Sequence, residues 1–201
     1  MLDKPADLAR FDPVWRACEP YMRARKNDVH IPLSFAWAQT LLDAYPEADR
    51  DICSLAILLH DIGWYSIDHN DIIEKGFSGP DMLTSDVRFL HEAESVRLGT
   101  EAMRATGWSE DVIAAVNEIV DGHDTRAQPR DLNDRIVRDA DKLWRFSVTG
   151  VAVACDWFHT TPRGYADRLE VQKDQLETEV GRRLAAETLA ETRRALMLSV
   201  I

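Results

Sequence analysis

Glycine and proline are scarce in this 201-residue chain, nine and eight respectively, too few for a collagen-like repeat or a low-complexity linker. Cysteine is scarcer still. Cys18, Cys53 and Cys155 are odd in number, far apart and without a C-x-x-C pair, which excludes a disulfide framework and reads as buried free thiols in a reducing compartment, the cytoplasm. No apolar run approaches the about 18–20 residues of a spanning helix, and the segment after Met1 has no leader-like apolar core. A protein without a membrane partner is therefore expected. Positive charge is in deficit: 24 Lys and Arg stand against 35 Asp and Glu, a formal net charge of −11. A field of that sign repels polyanions and excludes a nucleic acid duplex, while small anions can still bind where cations cluster.

Strict alternation of apolar and polar residues over a strand's length is also missing, whereas apolar positions recur at helical spacing almost throughout. The expected fold is all-α, a compact helical bundle forming one domain over residues 1–201. Short helices punctuated by Pro5, Pro13 and Pro20 are expected over 8–26. A stronger helix should start with Asp28 as cap, carry the stripe His30, Leu33, Trp37, Leu41, and stop before Pro46. Residues 48–61, with Ile52, Leu55 and Ile57 to Leu59, form a helix apolar on all sides that must lie at the centre, with Gly63 as its left-handed cap. Residues 62–90 read as a loop with short helical turns. Helices are then expected over 91–106, closed by Gly107; from the Ser109 cap to about 122; over 132–148; over 149–160; and, beyond a Thr161-Pro-Arg-Gly break, a long charged helix over 166–198. That last helix should pack on its own domain, with a homodimer contact as the lesser reading.

Four of the six histidines fall at helix ends or on apolar stripes, interleaved with two aspartates: His30, the pair His60-Asp61, His91, His123 and Asp141. Imidazole nitrogen and carboxylate oxygen together suit a divalent transition ion, Fe, Mn, Co or Zn, whereas oxygen alone would suit Mg or Ca. Six ligands exceed the needs of one tetrahedral ion and match two ions bridged by a carboxylate. Asp141 continues the stripe of Val137, Trp144 and Val148, so its carboxylate points into the interior, where an unpaired charge is costly. Asp139 falls on the face of Arg135 and Lys142 with an ordinary surface partner at i+3, so Asp141 is the expected ligand. Any one of these histidines alone reads more often as a cap or a satisfied core group, and an inward aspartate as readily pairs with arginine or a backbone terminus; the conjunction carries the metal reading.

The order His30, then Ala56-Ile-Leu-Leu-His60-Asp61-Ile-Gly63, then Asp139-Ala-Asp141-Lys142-Leu143 resembles the HD superfamily of metal-dependent phosphohydrolases over residues 28–148, with 149–201 as a helical extension. The resemblance implies that His30, His60, Asp61 and Asp141 are the core ligands. The added pair His91 and His123 is similar to the two-metal subset that includes the YqeK-type dinucleoside-tetraphosphate hydrolases and the cyclic-nucleotide phosphodiesterases. A similar ligand order occurs in the mixed-valent di-iron oxygenases of the superfamily, which cleave C–C or C–P bonds; a non-catalytic metal-binding sensor is a further alternative. Where many relatives have a basic residue soon after the His-Asp pair, this chain has Trp64-Tyr65, which leaves phosphate recognition to other groups.

A hydrolase of this kind would act on a small phosphorylated metabolite, a nucleotide among the candidates. Asp61 is the expected bridge, and two ions would make hydroxide available at neutral pH. Lys142 and Arg145, within one turn of Asp141, and Lys75 or Arg88 are the expected phosphate-binding cations, with Lys142 also placed among the catalytic groups. His69, eight residues past Asp61, is the expected proton donor to the leaving oxygen. His159 is expected to pack beside Trp157 and Phe158. Trp64, Tyr65, Trp144 and Trp157 are read either as core or as pocket walls.

Overall fold

The computed structural model describes residues 8–68 and 86–198, and the regular elements among them are all helical, as the apolar spacing requires. Nine α-helices occur among the described residues: α1 (Asp12–Cys18), α2 (Asn27–Ala44), α3 (Arg50–Leu59), α4 (Asp86–Ala105), α5 (Glu110–Val120), α6 (Leu132–Leu143), α7 (Val148–Phe158), α8 (Pro162–Gln172) and α9 (Glu179–Ala195). Single 3-10 turns join several of them. No helix among the described residues is long and apolar enough to cross a membrane.

α3 is the central element, in contact with α2, α5 and α6. The Asp49 side chain caps it, accepting from the amides of Asp51 at 2.9 Å and Ile52 at 3.1 Å. Every residue from Cys53 to Leu59 is buried, and each large aliphatic side chain so buried stabilises the fold by about 1.5–3 kcal/mol. The helix ends at Leu59, two residues before the expected Asp61, and the chain turns into the 3-10 segment Ile62–Ser66. Gly63 is not the left-handed cap expected of it: Gly107 and Gly122 adopt positive φ, and Gly63 does not. It is needed for closeness. A Cβ there would lie 2.1 Å from the His91 carbonyl oxygen and 2.4 Å from the Ser95 nitrogen, so only glycine lets α4 lie directly on the turn, where Ser95 Oγ accepts from the Gly63 amide at 2.8 Å. α4 already includes Asp86, five residues before the expected His91, which places that histidine inside a helix.

α2 starts at Asn27, after two successive residues in the left-handed region, Arg25 (φ 52°) and Lys26 (φ 57°); Lys26 takes the cap position and Asp28, the expected cap, lies in the first turn. Its buried face runs through His30, Ser34, Ala38 and Leu41, while Leu33 and Trp37 are only half-buried. α5 has the expected Ser109 cap and ends at Val120.

Residues 166–198 do not form one helix. α8 gives way to a 3-10 turn and α9 restarts at Glu179, capped by Thr178. The cause lies on α6. Asp139 is fully buried and accepts from the amides of Glu177 at 2.7 Å and Thr178 at 2.8 Å and from the Thr178 hydroxyl at 2.6 Å, which holds the chain extended just before α9. Asp139 is therefore an interior anchor, not the surface acid expected from Lys142 at i+3. His159 is also unlike its expectation: it is exposed and ends α7 in the left-handed region, φ 48°. Of the three free thiols, Cys18 and Cys53 are buried and Cys155 is half-buried.

Candidate metal centre

Three helix ends and one helix interior converge beside α3. His30 comes from the first turn of α2, His60 and Asp61 from the departure after α3, and Asp141 from the last turn of α6. All four are buried. His30 Nε2 lies 2.9 Å from His60 Nε2; Asp141 Oδ1 lies 3.2 Å from the first and 3.4 Å from the second. Asp61 Oδ2 faces the same pair, at 3.5 Å and 3.7 Å.

The other oxygen of Asp61 faces a different pair. Oδ1 is 3.5 Å from His91 Nε2 on α4 and 3.5 Å from His123 Nε2 in the turn after α5, and those two nitrogens are 3.5 Å apart. The sequence-predicted ligands thus form two groups able to hold a metal ion, His30-His60-Asp61 and Asp61-His91-His123, joined at one carboxylate. Trp64 Nε1 donates to Asp61 Oδ1 at 2.9 Å, and Asn27 donates to the Asp61 carbonyl at 2.8 Å, so side chain and backbone of the shared residue are both held.

The donor set fits a cation. His60 Nδ1 lies 2.8 Å from Ile57 O and His123 Nδ1 lies 2.9 Å from Val120 O. A carbonyl only accepts, so in each ring Nδ1 carries a proton and Nε2 is the atom turned to the cluster, able to offer a lone pair to a cation once its own proton is absent or released. Lone pairs and carboxylates crowded together repel unless a positive charge lies among them. Ligand atoms about 2.0–2.2 Å from one ion lie about 3.3–3.6 Å from each other in a tetrahedral set, close to the 2.9 to 3.7 Å found around His30 and His60. Burial opposes charge on Asp61 and Asp141, but His60, His123 and Arg25 hold Asp61, and Arg145, His30 and His60 hold Asp141, well below the usual carboxylate range. Burial likewise opposes charge on His123, yet Asp61, Asp124 and Glu92 override it and push its pKa up to about 10. Burial wins at His91, lowered to about 3.

Around this cluster lie groups that the sequence pattern did not single out. Arg25 is nearly buried, 3.8 Å from Asp61 Oδ2, with its guanidinium over Trp64 and Trp157. Glu92, one residue after His91, accepts from the amides of Asp124 and Thr125 and the Thr125 hydroxyl, at 2.9, 3.1 and 2.6 Å, and so fixes the turn that carries His123. Asp124 reaches within 4.0 Å of His91 Nε2.

The expected substrate cations divide. Arg145 approaches the cluster, its terminal nitrogen 3.5 Å from Asp141 Oδ2. Arg88 is engaged with the Asp124 carbonyl at 2.8 Å and its carboxylate at 3.4 Å, so it braces the His123 turn. Lys142 is turned away by the 100° step from Asp141. It lines a cavity of about 100 Å³ with Arg145, Phe146, Leu169, Gln172, Gln175 and Leu176, and its charge acts on Asp139. His69 and Lys75 lie outside the described residues. Trp64 and Trp144 are buried and Tyr65 is exposed; Trp144 meets the His30 ring edge to face at 4.8 Å.

A helical bundle whose helix ends gather buried imidazoles and carboxylates in this order defines a metal-binding protein of the HD type. The family model described as HD domain matches residues 30–145, more than half the chain, and the chain belongs to the HD domain family. No curated protein and no solved structure matches it. The family is largely one of metal-dependent hydrolases, and the His/Asp cluster supplies the metal site that such chemistry requires.

Proposed function

We propose that this protein is a metal-dependent phosphohydrolase acting on a small phosphorylated metabolite, with two divalent transition ions, Fe, Mn, Co or Zn, sharing Asp61. The observation that supports it is the division of the Asp61 carboxylate: one oxygen faces His30 and His60, the other His91 and His123. A carboxylate used by a single ion has no reason to be held so, with Trp64 steadying the oxygen on the second side.

His30, His60 and Asp141 would hold one ion, His91 and His123 the other, and Asp61 both. Bound there, such ions would provide a nucleophile at neutral pH and charge stabilisation at phosphorus. The chain's own part is positional. The Ile57 and Val120 carbonyls fix the tautomers of His60 and His123, Glu92 and Arg88 fix the turn of His123 and Asp124, and Arg145 brings positive charge to the rim for phosphate oxygens. His69 is the proposed proton donor to the leaving oxygen.

The test is metal analysis of the purified protein followed by phosphate release from a panel of nucleotide and sugar phosphates, with oxygen uptake recorded in parallel. About two ions per chain with phosphate release is the expected result. Oxygen consumption without phosphate release would replace hydrolysis with oxygenase chemistry, and a single ion with neither activity would leave a sensor.

A further inference from the structure

Outside the His/Asp cluster, the cavity of about 100 Å³ at the end of α6 has an unusual wall. Lys142 and Arg145 bring two cations to it, Gln172 and Gln175 bring two carboxamides, and no acid lines it. In a chain with 35 Asp and Glu against 24 Lys and Arg, two positive charges without an acid beside them are a departure that a ligand of opposite sign would explain.

The fold does not use up these donors. The charge of Lys142 acts on Asp139, but both Asp139 oxygens are committed to Glu177 and Thr178. No ion pair or hydrogen bond of the Lys142 ammonium occurs among the described residues. Arg145 turns a terminal nitrogen to Asp141, at 3.5 Å, while its Nε is buried and meets no acceptor among the described residues. A buried N–H left unpaired is costly, and an acceptor in the cavity would remove the cost. Asp174 and Glu177 flank the turn that supplies Gln175 and Leu176, yet neither lines the cavity.

Burial divides the wall in two. Phe146, Leu169 and Leu176 are each at most 2% exposed and form an apolar base, whereas Lys142 and Gln172 are half-buried and Gln175 is exposed, which puts polar groups at the mouth. Phosphate or sulfate presents oxygen in every direction and needs donors all round; the base offers none. A carboxylate on a short aliphatic chain has one end of each kind. Because Arg145 shares its charge with Asp141, a monoanion also matches better than a dianion. A cavity of about 150 Å³ admits benzene, so one of about 100 Å³ takes an acid of about three or four carbons.

We propose that this cavity binds a short-chain monocarboxylate, with its oxygens on Lys142, Arg145 and the glutamine amides and its chain on Phe146, Leu169 and Leu176. The site goes beyond the phosphohydrolase reading and does not depend on it. The measurement is calorimetric titration of the metal-loaded protein at about pH 7, where a carboxylic acid is ionised, with butyrate and with butyramide as its neutral analogue. Butyrate should bind at least about tenfold more tightly than butyramide, the worth of one charged hydrogen bond, and saturating inorganic phosphate should leave it bound. Lys142→Gln, which removes the charge, and Gln172→Glu, which adds a like one, should each weaken butyrate by about tenfold or more, with metal content and helix content unchanged. Lys142→Arg should retain most of the affinity.

No heat with butyrate at millimolar concentration, or equal affinity for butyramide, would overturn the site. Displacement by phosphate, indifference to both Lys142→Gln and Gln172→Glu, or a loss of butyrate that tracks a loss of metal would overturn it as well, by moving the carboxylate to the His/Asp centre. Lys142-dependent butyrate binding without phosphate release from any ester would keep the site and remove the hydrolase. Phosphate release with no such binding would do the reverse.

Discussion

The two histidine pairs that share Asp61 are held by different means. In the His30–His60 pair both rings are engaged through Nδ1, His30 with Ser34 Oγ at 3.4 Å and His60 with the Ile57 carbonyl, and a second carboxylate, Asp141, faces both. In the His91–His123 pair only His123 is tied. His91 Nδ1 has no hydrogen-bond partner among the described residues, and the ring is instead stacked on Trp64 at 4.1 Å with planes 14° apart. A hydrogen bond at Nδ1 fixes direction and tautomer and raises the basicity of Nε2; a stacked ring has only its plane fixed. The first pair is therefore the tighter half of the centre and the second the more easily emptied.

Asp61→Ala should have the largest effect, because it removes a ligand from both halves: metal content should collapse while helix content by circular dichroism stays near wild type. Full metal loading in that variant would show that the halves do not share the residue. Asp141→Asn touches only the first half. It should weaken the tighter binding event by about 10–100-fold and leave the weaker one in place, which chelator competition can resolve; equal weakening of both would erase the distinction. Trp64→Leu is the converse, expected to weaken the second half by about tenfold through loss of the His91 stack and of the Asp61 hydrogen bond. Dialysis against a chelator should strip the second half first, read as a stable intermediate of about one ion per chain. The smallest effect is a proton. With His123 at about 10 and His91 at about 3, filling the second half at about pH 8 should release one proton, from His123, seen as a dependence of binding heat on buffer ionisation. Affinity there should fall as pH falls, and a release of zero would mean that His123 is neutral beforehand.

Much of this cluster was legible because a buried polar side chain on a periodic element betrays itself. Asp141 continues an apolar stripe, and the His60-Asp61 pair closes a helix buried on every side from Cys53 to Leu59. The same periodicity holds Lys142 off the site and keeps Arg145, at i+4 from Asp141, on it. Arg25 was illegible for a physical reason: its position depends on two successive left-handed residues, and Arg-Lys carries none of the glycine or asparagine preference that announces such a bend. Glu92 and Asp124 were hidden because each acts through contacts between α4 and the turn after α5, which no local pattern encodes. Asp139 misled because a partner at i+3 is a local signal, whereas its true partners, Glu177 and Thr178, lie nearly forty positions away.

That last attachment ties the segment before α9 to the rod that presents Asp141. Two residues before Asp141, the Asp139 carboxylate spends its oxygens on the segment leading into α9, and Gly181 leaves it the room to do so, since a Cβ there would fall 2.3 Å from its oxygen. Cutting the chain ahead of Glu177 would strand a buried acid without donors and oblige α6 to move, so damage at the far terminus would be felt as loss of metal.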